Sequence, residues 1–341
     1  MSERSTVLVT GGSGFLAGHV LARLLQDGYP VRTTVRTPRR ADDVHTTLTR
    51  AGADTAALTT VTADLTADGG WPAALDGVGH VLHVASPFPA RQPRNEDDVI
   101  VPAREGTLRV LRAAAAAGVP RVVMTSSFAA IGYSPKAGGA PYDETDWTDT
   151  AARQSPYVKS KTLAERAAWD FVATADLELT VVNPVGIFGP VLGTEVASSV
   201  GLIQALLDGK PPVLPRASFA VVDVRDVADL HVRAMTSAAA AGERFLASAG
   251  QPVTLPEIAA ILRSRLGDRG HRVPRWTAPD WLVRRAARMS PSLETFAELL
   301  GEPKRLSIGK STDVLGWRPR PVADTMTDTA LSLLDRVPLA R

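Results

Sequence analysis

TVLVTGGSGFLAGHVLARLLQ, residues 6–26, decides the fold. An apolar, β-branched run from Thr6 to Thr10 leads through clustered glycines into a stretch, Gly14 to Gln26, with apolar residues three and four positions apart. A strand therefore passes through a tight turn into a helix, whose first N–H groups and dipole favour an anion. Gly11 permits the sharp turn and Gly14 the close approach of a phosphate. Gly11, Gly14, Phe15 and Leu16 are the loop's candidate contacts to a dinucleotide.

Working outward, Val31–Val35, Thr59–Thr62, His80–Val84, Arg121–Thr125 and Leu179–Val182 read as further strands, and Asn95–Ala117 and Pro156–Ala173 as helices between them. Continuous apolar runs such as Val81–Ala85 suit a parallel sheet covered on both faces, and right-handed crossovers then require a doubly wound α/β topology. Residues 1–185 are expected to form the dinucleotide-binding domain. Beyond Asn183 the rhythm gives way to Pro- and Gly-rich loops, so 186–341 is expected to be a smaller, mostly helical substrate-binding domain. Residues 213–236, with a strand at Phe219–Val222 and a helix from Val224, are expected to return to the first domain.

The chain has 341 residues, of which 45% are hydrophobic and 22% charged, enough to build an ordered core. Thirty-eight Lys and Arg against 36 Asp and Glu leave a balance of +2, too small for a surface that holds a nucleic-acid backbone. With no cysteine, and six histidines that show no HExxH pattern, neither disulfides nor a metal site is expected. Met1–Thr6 is not followed by a signal core, and Val7–Leu25 is interrupted by glycines, Ser13, His19 and Arg23, so no membrane span is expected. The expectation is a soluble cytoplasmic protein.

Two places carry chemistry. Where an NAD-binding sheet places an acid at the end of its second strand, this chain has Arg36, with Arg39 and Arg40 following. A guanidinium there pairs with a ribose 2′-phosphate and stacks on adenine, which predicts NADPH (NADP) over NADH. Asp64 and Leu65, after the third strand, are placed to flank the adenine. The second place is Tyr157 with Lys161, four apart on one helical face. With four tyrosines and six lysines in the chain, such a pair has a chance expectation of roughly 0.07, and the other tyrosines lack it. A phenol beside an ammonium becomes a competent general acid for a carbonyl oxygen. Ser127 supplies a second donor to that oxygen, with Ser126 as its competitor; strand alternation turns the two opposite ways, so only one faces the site.

These residues resemble the extended short-chain dehydrogenase/reductase superfamily, in its dihydroflavonol reductase, cinnamoyl-CoA reductase and aldehyde (methylglyoxal) reductase branch. The likeness adds VLHVASPF (81–88), EGTLRVL (105–111), TSS (125–127), SKTLAE (160–165), the stretch from Asn183 to Pro190, VVDVRDVA (221–228) and LGWRP (315–319), so it runs nearly end to end. It implies a Rossmann sheet, a Ser127–Tyr157–Lys161 triad, and Lys161 on the nicotinamide ribose. Ala85, Ser86, Thr125, Pro184, Val185, Ile187 and Ser199 are implied to line the cofactor, and Phe88 and Tyr133 to border the substrate with Ser127. Two departures matter: Ala17 stands where glycine is common, as in the microbial aldehyde reductases, and SPYVKSK replaces the NWYCYGK of cinnamoyl-CoA reductases, which argues against a thioester. Asp42 and Asp43 lie near the place of a basic residue in the plant enzymes, leaving Arg39 or Arg40 to supply that charge.

The resulting expectation is an NADPH-dependent reductase, monomer or homodimer, that converts a small-molecule aldehyde, ketone or 1,2-dicarbonyl to the alcohol. Oxidation of a bulky steroid-type alcohol and sugar-nucleotide epimerisation are alternatives, the latter disfavoured by Arg36. A non-catalytic NADP-binding regulator is another, disfavoured by the intact Tyr157 and Lys161.

Overall fold

A computed structural model of the chain describes residues 4–87, 95–193, 197–288, 299–301 and 303–336. The first half alternates strand and helix: β1 (Thr6–Val9), α1 (Phe15–Gln26), β2 (Val31–Val35), α2 (Arg39–Arg50), β3 (Leu58–Thr62), α3 (Trp71–Leu75), β4 (Val78–His83), α4 (Asp97–Ala116), β5 (Arg121–Thr125), α5 (Pro156–Val172) and β6 (Glu178–Pro184). Beyond it come β7 (Gly186–Phe188), α6 (Ser198–Leu207), β8 (Val213–Leu214), β9 (Ser218–Phe219), β10 (Val221–Asp223), α7 (Val224–Thr236) and β11 (Arg244–Ala247). Seven strands form one parallel sheet in the order β3-β2-β1-β4-β5-β6-β11.

Side-chain alternation divides the core. Val7, Val9, Val123, Val182 and Phe245 face α1 and α7, whereas Leu8, Val81, Val122, Met124 and Val181 face α4 and the buried Ala168 of α5. Both faces are covered, which is why the strands read as continuous apolar runs. A third cluster joins Phe188 and α6 to the helix Leu255–Leu266 and to Met326 and Ala330 of the last helix, Val322–Leu334.

Three features differ from the sequence reading. α2 is a helix that buries only Val44 and Leu48. Phe219–Val222 is not one strand: it breaks at Ala220, so that β9 pairs antiparallel with Val253–Thr254 while β10 runs parallel to β7. At the break, Gly186 N–H bonds the Ala220 carbonyl at 3.1 Å, where the chain passes from one pairing to the other. The seventh strand, β11, comes from residues beyond 236 and pairs Arg244 with Val181 and Phe245 with Val182.

Candidate active site

The carboxyl ends of β1, β4, β5 and β6 lie side by side, the place where doubly wound sheets bind ligands. At the end of β1, Gly11 has φ +74°, and a Cβ there would lie 2.8 Å from the Cβ of Ala85. Only glycine lets the loop close against the end of β4. A Cβ on Gly14, the N-cap of α1, would lie 3.2 Å from the Gly11 carbonyl. No side chain caps α1 and its first turn, with Phe15 and Leu16, contains no acid, so its amide end is suited to an outside anion. A cleft lined by Gly12, Ser13, Gly14, Phe15 and Arg40 opens here. The cradle and the uncapped helix fit a pyrophosphate.

Beneath the loop, the buried Thr10 hydroxyl accepts the amides of Val84 (3.1 Å) and Ala85 (3.0 Å) and donates to Nδ1 of His83 at 2.9 Å. Burial, reinforced by the Lys161 charge, pushes His83 down to about 3 and keeps it a neutral acceptor. The segment carrying Ala85 and Ser86 is thus pinned to the glycine loop. On the other side, His19 of α1 donates through Nε2 to the Pro190 carbonyl at 2.8 Å; burial lowers it to about 4, so this ring is neutral too.

Arg36 is exposed just past β2. Asp64 accepts the amide and the hydroxyl of Thr66, each at 2.7 Å, and these bonds, with the nearby charges of Arg36 and Arg109, hold its carboxyl below the usual range. Leu65 packs over Gly106, and its carbonyl accepts from Arg109. Of the two acids near the basic cluster, Asp43 lies 3.7 Å from the Arg40 guanidinium.

α5 begins with Ser155, whose hydroxyl accepts the Val158 amide at 3.3 Å, and Pro156, a residue with φ preset for a helix start. Tyr157 is 40% exposed, and Lys161 Nζ lies 5.9 Å from its ring centre. That ammonium also donates to Ser86 Oγ at 2.9 Å. At the end of β5 the three hydroxyls diverge. Thr125 donates to Nε2 of His231 at 2.7 Å, while Nδ1–H of the same ring donates to the Val227 carbonyl. Ser126, buried, donates to Glu165 on α5. Ser127, partly exposed, accepts the Ala129 amide at 3.1 Å. The two serines do face opposite ways, and Ser126 is the one committed to the interior. The Thr125 hydroxyl is committed to α7.

Pro184 and Val185 are buried, Val185 N–H bonding the Ala247 carbonyl at 3.1 Å. Ile187 and Ser199 meet directly, the serine hydroxyl donating to the Ile187 carbonyl. Tyr133 is 40% exposed, tilted against Phe128 at 6.2 Å, with Lys304 Nζ 3.9 Å over its ring. Phe88 lies outside the described residues. Sequence reading missed Glu165, Asn183 and Arg244, which meet in one buried cluster behind Ser127. A signal existed for Glu165 alone, as the next i+4 position after Tyr157 and Lys161.

Residues 7–247 match the model of the NAD dependent epimerase/dehydratase family. The chain belongs to that family. It is 36% identical over 265 residues to cinnamoyl-CoA reductase CAD2 of Medicago truncatula, covering 76% of this chain and 80% of that one. It is 36% identical over 276 residues to dihydroflavonol 4-reductase of Zea mays, covering 77% and 75%. Among solved structures, yeast methylglyoxal/isovaleraldehyde reductase Gre2 complexed with NADPH superposes with a TM-score of 0.79 at 26% identity, covering 96% of this chain and 98% of that one.

Proposed function

We propose that this chain is an NADPH-dependent carbonyl reductase acting on an aldehyde, ketone or 1,2-dicarbonyl. The observation that carries the reading is the placement of Tyr157 and Lys161 on one face of α5, with the Lys161 ammonium tied to Ser86 at the carboxyl end of β4. That arrangement sets a phenol and a cation at the strand ends where the glycine cradle leads.

Gly11, Gly14, Phe15 and Leu16 would hold the pyrophosphate, Arg36 the 2′-phosphate, and Asp64 and Leu65 the adenine. Pro184, Val185, Ile187 and Ser199 would border the nicotinamide, with Ala85 and Ser86 beside it. Bound NADPH supplies the hydride for the carbonyl carbon. Ser127 and Tyr157 both donate hydrogen bonds to the carbonyl oxygen, so negative charge growing there meets two fixed donors. Tyr157 passes its proton to that oxygen, and Lys161 stabilises the phenolate left behind. The buried, neutral His83 next to Lys161 adds no competing positive charge. Tyr133 would border the substrate.

The chain's relatives named as reductases, and the position of Arg36, favour reduction with a phosphorylated cofactor over epimerisation. The test is loss of nicotinamide absorbance when purified protein is mixed with NADPH and methylglyoxal, phenylglyoxal, isovaleraldehyde or a dihydroflavonol. Turnover on at least one is expected; silence across the panel, with NADPH bound, would leave the chain a cofactor-binding regulator.

A further inference from the structure

Glu165 lies one turn beyond Lys161 on α5 and is fully buried. A carboxylate without water requires donors, and it has four. Ser126 Oγ–H and Asn183 Nδ2–H (2.7 Å) reach Oε2, whereas Arg244 Nε–H (2.6 Å) and Trp169 Nε1–H (3.5 Å) reach Oε1. Arg244 enters from β11, also donates to the carbonyls of Glu144 (2.7 Å) and Asp146 (2.8 Å), and lies 3.9 Å over the Trp147 ring. The cluster therefore joins α5, β5, β6 and β11.

Stability alone does not account for it, because a buried ion pair contributes little net free energy compared with apolar residues of the same shape. What the cluster holds is the backbone of Ser127. The Asn183 amide that binds Glu165 also donates to the Ser127 carbonyl at 3.2 Å. The preceding residue, Ser126, is bound to the same carboxylate. Ser127 itself is extended, with φ −161° and ψ 153°, and caps the short turn Phe128–Ala130. With both neighbouring anchors fixed, the backbone that carries its hydroxyl is held in place, and the Ala129 amide reaches the hydroxyl oxygen at 3.1 Å.

We infer that Glu165, held by Arg244, is a positioning residue that aims the Ser127 hydroxyl through Ser126 and Asn183. The inference rests on Ser127 acting as a donor to the substrate carbonyl, as proposed above. If so, the benefit of Glu165 exists only while that hydroxyl is present.

The test is a double-mutant cycle on the full chain, read as kcat and KM for the most reactive carbonyl, with NADPH affinity by fluorescence titration. Glu165→Gln is expected to lower kcat by about ten-fold in the wild-type background, through a small displacement of the donor, with NADPH affinity unchanged. In a Ser127→Ala background the same change is expected to lower the residual kcat less than about two-fold. An equal loss in both backgrounds, or no loss in either, overturns the inference while leaving the reductase reading intact. Full activity of Ser127→Ala, or no turnover by the wild type, removes its premise and overturns it together with the assignment of Ser127. If Glu165→Gln does not fold, Asn183→Leu keeps the volume and deletes the link to the Ser127 carbonyl, and the same cycle applies.

Discussion

Lys161 Nζ stands 2.9 Å from Ser86 Oγ, so the helix that carries the phenol is tied to the loop that follows the fourth strand. The same ammonium lies 5.9 Å from the centre of the Tyr157 ring.

Tyr157→Phe removes the hydroxyl proposed as the proton donor and leaves the ring. Turnover is expected to fall by about 10²–10⁴-fold, while NADPH still binds with near wild-type affinity. Paired stopped-flow and fluorescence titrations measure the two separately, and retained turnover refutes the role of the phenol.

Arg36→Asp exchanges the proposed 2′-phosphate partner for a repelling charge. Loss of a charge-assisted fork weakens NADPH by about 10- to 100-fold, and relative use of NADH rises. Cofactor selectivity, as the ratio of kcat/KM for the two, is the measurement; an unaltered ratio places the 2′-phosphate on another residue.

Gly11→Ala meets two obstacles, a left-handed backbone and the Ala85 methyl at 2.8 Å. Destabilisation of about 1–3 kcal/mol is expected, with loss of NADPH affinity because the cradle must open. Urea unfolding with and without cofactor reports both.

His231 is buried and lowered from 6.5 to about 4, where it accepts from Thr125 and donates to Val227. Its unfolded form takes up a proton near pH 6.5 and its folded form only near pH 4, so the unfolded state binds more protons between these values. Folding stability therefore rises with pH through that window and is lost on acidification, by up to about 1.4 kcal/mol per pH unit for this ring. His231→Gln should flatten the slope of unfolding free energy between pH 6.5 and 4.5; an unchanged slope would show that the ring does not titrate as described.

Legibility followed locality. β2 and β5 match the sequence reading residue for residue, because apart from Arg32 and Arg121 the stretches Val31–Val35 and Arg121–Thr125 are β-branched or apolar and mostly buried. α2 escaped notice because Arg39–Arg50 offers only Val44 and Leu48 as anchors among polar residues. β11 is four residues long and opens with a charge, Arg244, that becomes buried by pairing with Glu165 from a distant part of the chain. The same contrast holds at the site. Tyr157 with Lys161 and the Ser126/Ser127 alternation are encoded in spacing. The grouping of Glu165, Asn183 and Arg244 exists only once two strands and a helix have met.

β7 and β10 run parallel, which fixes how the chain between them has to travel. Gly186 lies beside Val221 and Phe188 beside Asp223, so the segment from Gly189 to Ala220 departs from and rejoins a single narrow ribbon. Its two ends lie at opposite ends of that ribbon, Gly189 past the Phe188–Asp223 pair and Ala220 before the Gly186–Val221 pair. Parallel strands cannot be joined by a tight turn, so this stretch must stay long enough to travel back along the ribbon, and α6 is part of that return path.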